Sequence, residues 1–172
     1  MEYAPYQDFI NVLNQAKIYE DEKLARTFFD QLIDGIESLH FHGIAHMDLK
    51  LDNLLLGEDC KLKIADFERI WFIQEESYHE RGSKDYRAPE VRNGTCKDPK
   101  AADIYSAGIF LFLMKTGGTL PHVEGRKYKG VNLFELMNED NEKFWETHLE
   151  FLGEEPNFVS EDSKTLFNSM TK

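Results

Sequence analysis

Cysteine is scarce in this chain. The two present, Cys60 and Cys96, stand far apart, with no second Cys or His at metal-ligand spacing. That gives no basis for a disulfide framework or a zinc centre and leaves two free thiols, read as buried or half-buried. Basic residues are also outnumbered, with 20 Lys and Arg against 32 Asp and Glu for a formal net charge of -12. A chain so charged repels phosphate backbones and anionic headgroups, which excludes nucleic acid and membrane surfaces as partners. Long apolar runs are missing too: the longest, 107–114, falls far short of the roughly 20 residues of a membrane span and reads as a buried core helix. Residues 1–8 show no basic stretch leading into an apolar one, hence no signal peptide, and the chain reads as intracellular and cytoplasmic. Asn93-Gly94-Thr95 then matches a glycosylation acceptor by chance. Repeats, low-complexity tracts and Pro-rich linkers are absent, and 172 residues at 41% apolar content suit one globular unit.

Within that unit, Leu24, Phe28, Leu32, Ile36 and Leu39 recur at helical spacing, widened by Ala25, Phe29 and Ile33, and predict an amphipathic helix over 22–40 closed by Gly43. Leu54-Leu55-Leu56 and Leu62-Lys63-Ile64 flank Gly57-Glu58-Asp59 and predict a small β-hairpin. The polar stretch 66–90 reads as a long functional loop. A second helix, roughly 101–115 and beginning near Asp103, is apolar nearly all round and should be central; Gly117-Gly118 ends it. Residues 131–150 predict two helical pieces split around 138–141, and a last helix starts at Ser160, a ready N-cap.

Four motifs lie in order on this frame. His46-Met47-Asp48-Leu49-Lys50-Leu51-Asp52-Asn53 sits between the first helix and the hairpin, and Asp66-Phe67-Glu68 follows the hairpin. Tyr86-Arg87-Ala88-Pro89-Glu90 closes the long loop, and Asp103-Ile104-Tyr105-Ser106-Ala107-Gly108 opens the central helix. Each alone is weak; together, at these spacings, they are specific. The set resembles the protein kinase family of the serine/threonine type, over almost the whole chain from the hinge onward. The run 48–53 followed by three leucines is similar to the calmodulin-dependent and related groups.

The resemblance implies a mainly α fold with a small β-hairpin, the carboxy-terminal lobe of a kinase domain over 1–172, using ATP and Mg2+ to phosphorylate protein hydroxyls. Asp48 matches the base, Lys50 the ammonium that steadies the transferred phosphoryl group, and Asn53 and Asp66 the magnesium ligands. A carboxylate, an ammonium and an amide on one short loop suit in-line phosphoryl transfer. Met1-Glu2-Tyr3-Ala4 looks like the hinge, with Glu2 and Ala4 backbone facing adenine, Asp8 at the ribose and Leu55 beneath the ring. Ser83 resembles the hydroxyl residue that touches base and lysine. Asp52 and the overall acidity favour basic substrate peptides. His46 is expected to pack and hydrogen-bond under the loop, His40 and His42 to meet a helix dipole. Trp71, Phe72 and Ile73 suit either a peptide groove or packing of the loop.

Departures from the family pattern are equally visible. The Gly-rich loop, the strand lysine and its helix glutamate do not occur, so the chain alone is expected to be inactive or nearly so and to need an upper lobe or a partner. Met47 stands where many relatives carry an arginine that pairs with a loop phosphate, which weakens Ser77, Tyr78 and Ser83 as switch sites. Glu68 replaces a glycine beside Asp66, and the arginine that pairs with the family's counterpart of Glu90 lies beyond the last helix present here, where these residues supply none up to Lys172. The rival reading is a non-catalytic, pseudokinase-like binding module whose helical face from Phe134 to Trp145 docks a partner.

Overall fold

Six helices begin on a side-chain or proline signal readable in the chain, in a computed structural model that describes residues 9–73, 82–123 and 125–172. Asp21 caps α2 (Glu22–Phe41) by accepting from the Leu24 amide, and the helix buries Ala25, Phe28, Phe29, Leu32 and Ile36. Gly43, at φ 75, turns the chain out of it. Asp98 caps α4 (Pro99–Lys115) through the Lys100 and Ala101 amides, with proline in the first turn. This helix therefore starts before the 101–103 boundary expected from its apolar run, because an Asp-Pro pair begins a helix without needing an apolar residue. Asp140 ends α5 (Leu133–Glu139) and caps α6 (Asn141–Leu152), which splits 131–150 as predicted. Ser160 caps α7 (Glu161–Met170).

A further helix, α1 (Phe9–Ala16), is absent from the sequence reading. Tertiary packing holds this eight-residue helix. Phe9 is fully buried, 4.9 Å from the Phe28 ring on α2 and 5.4 Å from the Phe110 ring on α4. Helix α4 is the hub: nearly all its side chains are buried, and Phe112 meets Trp145, His148 and Phe167 from α6 and α7 at ring separations of 4.7 to 5.1 Å. Gly108 lets α7 come that close, since a Cβ there would meet Met170 and Thr171 side-chain carbons at 3.0 to 3.1 Å.

The strands are short. β2 (Leu54–Leu56) and β3 (Leu62–Ile64) form the expected antiparallel hairpin, Leu55 opposite Lys63. Cys60 takes a left-handed conformation in its turn and is exposed, which corrects the reading of both thiols as buried or half-buried: a hairpin turn has no core to enter. Cys96 is buried, and burial chiefly pushes its thiol up to about 11. A second sheet was not foreseen. β1 (Ile44–Ala45) pairs antiparallel with β4 (Trp71–Phe72), Ala45 opposite Trp71. Trp71 is thus buried sheet packing while Phe72 faces solvent. Two residues per strand leave no periodicity to read. The stretch 66–90 also contains β4 and α3 (Pro89–Arg92), so it is less irregular than its polarity suggests.

Candidate active site

The loop between β1 and β2 is held from below by one carboxylate. Asp103, on α4 and 1% exposed, accepts from the His46 amide at 2.8 Å and the Met47 amide at 2.8 Å. Its Oδ2 also bonds His40 Nε2 at 2.9 Å. Three partners satisfy a buried charge that would otherwise be prohibitive. Met47, anchored this way, adopts φ 64, a left-handed conformation that methionine rarely takes. The His46 ring extends the tie: Nδ1 accepts from the Asp48 amide at 3.3 Å, which leaves Nε2 to donate to the Ala65 carbonyl at 3.0 Å. The Phe67 ring meets that imidazole edge-on at 5.3 Å.

Above this anchor, Asp48 is 4% exposed and ringed by donors. Ser83 Oγ donates to Oδ1 at 2.9 Å. Lys50 Nζ lies 3.7 Å and Arg69 Nε 3.5 Å from Oδ2. The Asn53 amide nitrogen donates to the Asp48 carbonyl at 2.8 Å, and its oxygen remains the acceptor end of the side chain. Asn53 and Asp66 are linked through the hairpin: the Ala65 amide donates to the Asn53 carbonyl at 2.8 Å, extending the β2–β3 ladder to the residue before Asp66. Asp66 sits at φ 65 with its carboxylate exposed, accepting from the Glu68 amide at 3.4 Å. An amide oxygen and a carboxylate at adjoining strand ends are hard oxygen donors of the kind magnesium takes, with its remaining positions left to water or phosphate.

Ser83 reaches Asp48 because the chain before it passes against the loop. A Cβ on Gly82 would lie 2.5 Å from the Met47 carbonyl, and its φ is 90, so only glycine fits. Arg87 Nε donates to the Gly82 carbonyl at 2.6 Å, and Ser106 Oγ on α4 donates to the Tyr86 carbonyl at 2.9 Å. The Tyr86 phenol is pushed up to about 12, mainly by burial, with Asp52 and Asp85 adding to it.

Asp48, Lys50, Asn53 and Ser83 therefore come together, and Asp66 adjoins them. Asp52, exposed on the turn, and Leu55, half-buried in β2, take no part in the cluster's hydrogen bonds. Glu2, Ala4 and Asp8 lie outside the described residues, as do Ser77 and Tyr78. Arg69 went unread in the sequence, and Asp103, though quoted there in a motif, was not assigned this anchoring role. Arg69 has no motif to mark it. Asp103 had a cue, being the one carboxylate in a stretch of helix otherwise apolar. His40 stands in the last turn of α2, as expected, and its ring also reaches Asp103. Glu68 is exposed, and Glu90, half-buried, makes no ion pair among the described residues. No helix there is long and apolar enough to cross a membrane.

Comparison with known proteins now bears on this site. The family model described as Protein kinase domain matches residues 1–172. The SNF1-like protein kinase ssp2 of Schizosaccharomyces pombe is 39% identical over 119 residues, 68% of this chain and 20% of that protein. A carbon catabolite-derepressing protein kinase of Candida tropicalis is 37% identical over 119 residues, 68% of this chain and 19% of that protein. CBL-interacting protein kinase 26 of Oryza sativa subsp. japonica is 37% identical over 123 residues, 68% of this chain and 24% of that protein. In these alignments the chain matches about a fifth of each relative's length.

Proposed function

The chain belongs to the protein kinase family, and on that premise we propose that its 172 residues are the hinge and lower lobe of a serine/threonine kinase domain. The reaction is transfer of the ATP γ-phosphoryl group to a serine or threonine hydroxyl of a protein. What carries the reading is the Asp48 carboxylate, which already accepts one hydroxyl, from Ser83, and has the Lys50 ammonium beside its other oxygen. A substrate hydroxyl meeting the same carboxylate gives up its proton there while Lys50 balances charge on the transferred group. Asn53 and Asp66 hold the metal; magnesium, when bound, neutralises phosphate oxygens. Leu55 supports adenine, with the backbone of Glu2 and Ala4 on its edge and Asp8 at the ribose. Ser83 and Asp52 face the substrate, and the net charge of -12 favours basic peptides, in the cytoplasm.

The Gly-rich loop and strand lysine of the family do not occur in these residues, so transfer requires an upper lobe or a partner that supplies it. The test is phosphate transfer from labelled ATP and magnesium to a basic serine peptide, by this chain alone and by a form carrying an upper lobe. Transfer is expected only in the second form and falls by about a thousandfold in Asp48→Asn, within the range a general base contributes. Absence of transfer in both forms would overturn the reading. Equal affinity for acidic and basic peptides would remove the substrate preference alone.

A further inference from the structure

Away from Asp48, helices α6 and α7 enclose a groove of about 730 Å³, floored by Trp145 and Leu149. Five carboxylates line it, Glu142, Glu146, Glu150, Glu154 and Glu161, against one cation, Lys164. The first three fall at i, i+4 and i+8 on one face of α6, where like charges repel and weaken a helix. Glu150 is paired with Lys129 at its outer side and Glu161 with Lys164, whereas Glu142, Glu146 and Glu154 make no ion pair among the described residues. The volume is that of a site for a sizeable ligand, and no part of the chemistry above uses it.

Lys164 already occupies part of this groove. Its side chain is only 12% exposed, and the ammonium bonds the Pro156 carbonyl at 2.8 Å and Glu161 at 2.7 Å while lying 6.0 Å from the centre of the Trp145 ring. An aromatic face, a carbonyl and a carboxylate already hold one ammonium of the chain's own. Beside it three further carboxylates have no cation among the described residues.

We propose that the α6–α7 groove docks a basic amphipathic helix of a partner protein, with Lys or Arg residues about one turn apart on the Glu142, Glu146 and Glu154 side and an apolar side chain over Trp145 and Leu149. Charge complementarity selects that occupant over an acidic or purely apolar one. The surface is independent of phosphoryl transfer, so its test needs no activity.

A labelled Lys/Arg-rich helical peptide with one central leucine is titrated into the whole chain, following anisotropy and the Trp145 indole proton by NMR. Binding that shifts the Trp145 signal and weakens as salt rises is expected. Glu142→Lys with Glu146→Lys should reduce affinity about tenfold, while Asp34→Lys with Glu37→Lys on α2, the same change of net charge elsewhere, leaves it within about twofold. Replacing the peptide's leucine by serine should also weaken binding about tenfold. Equal losses from both charge reversals, an unmoved Trp145 signal, or indifference to the leucine would overturn the proposal and leave general attraction to an acidic protein. Matching melting temperatures of the two double variants exclude misfolding as the cause.

Discussion

Two buried polar environments in this chain are built on opposite terms. Both Asp103 oxygens have partners: two loop amides and an imidazole converge on one carboxylate. Between α4 and α6, His148 is fully buried among Phe112, Phe144 and Phe151, and neither ring nitrogen has a hydrogen-bond partner among the described residues; the same holds for His122, against Phe134. The difference teaches what each is for. A satisfied buried charge specifies one backbone path, here the path that carries Asp48, whereas an unsatisfied imidazole serves as an aromatic filler and must stay neutral. Burial accordingly lowers both histidines to about 4.

The largest effect should come from breaking the satisfied network. Asp103→Ala orphans two buried amides and should destabilise the chain by about 3 to 5 kcal/mol, read by urea unfolding. In a form competent for transfer it should also abolish activity, because the loop loses its anchor. Gly82→Ala comes next. A Cβ against the Met47 carbonyl, at a φ that alanine avoids, should remove about 2 to 3 kcal/mol and loosen the Ser83 contact with Asp48. A melting temperature equal to that of the parent would refute this account of the glycine.

The histidines sharpen the comparison through pH. Unfolding restores ordinary imidazole basicity near 6.5, so between about 6.5 and 4 the unfolded chain binds protons that the folded chain refuses. Their contribution is complete above pH 6.5 and drains as pH falls, by about 2 kcal/mol per histidine at pH 5. His148→Phe should recover that share, so that its stability falls less than the parent's from pH 7.5 to 5, and should gain about 1 kcal/mol at neutral pH from losing two unsatisfied nitrogens. Parallel pH profiles for the two proteins would show that His148 is not titrating as described.

How much was legible follows the range of the interactions. Helix α2, the hairpin, the split of α5 from α6 and the Ser160 cap were readable because periodicity, turn residues and caps act over a few neighbours. The run from His46 to Asn53 with Asp66 marked the candidate site for the same reason, as a local motif with fixed spacing. Helix α1 and the β1–β4 pair were not readable: a helix of eight residues and strands of two offer little period to read, and their partners lie far along the chain.

By itself, then, the order of residues determined the helices with caps, the hairpin and the chemical identity of the site, since each depends on neighbours within a turn or two. Only the tertiary structure decided that Asp103 anchors the loop, that Arg69 joins Lys50 on Asp48, that His40 serves Asp103, and that Trp145 underlies an acidic groove. Those pairings join groups remote in sequence, and packing around α4, where nearly every side chain is buried, is what brings them within hydrogen-bonding reach.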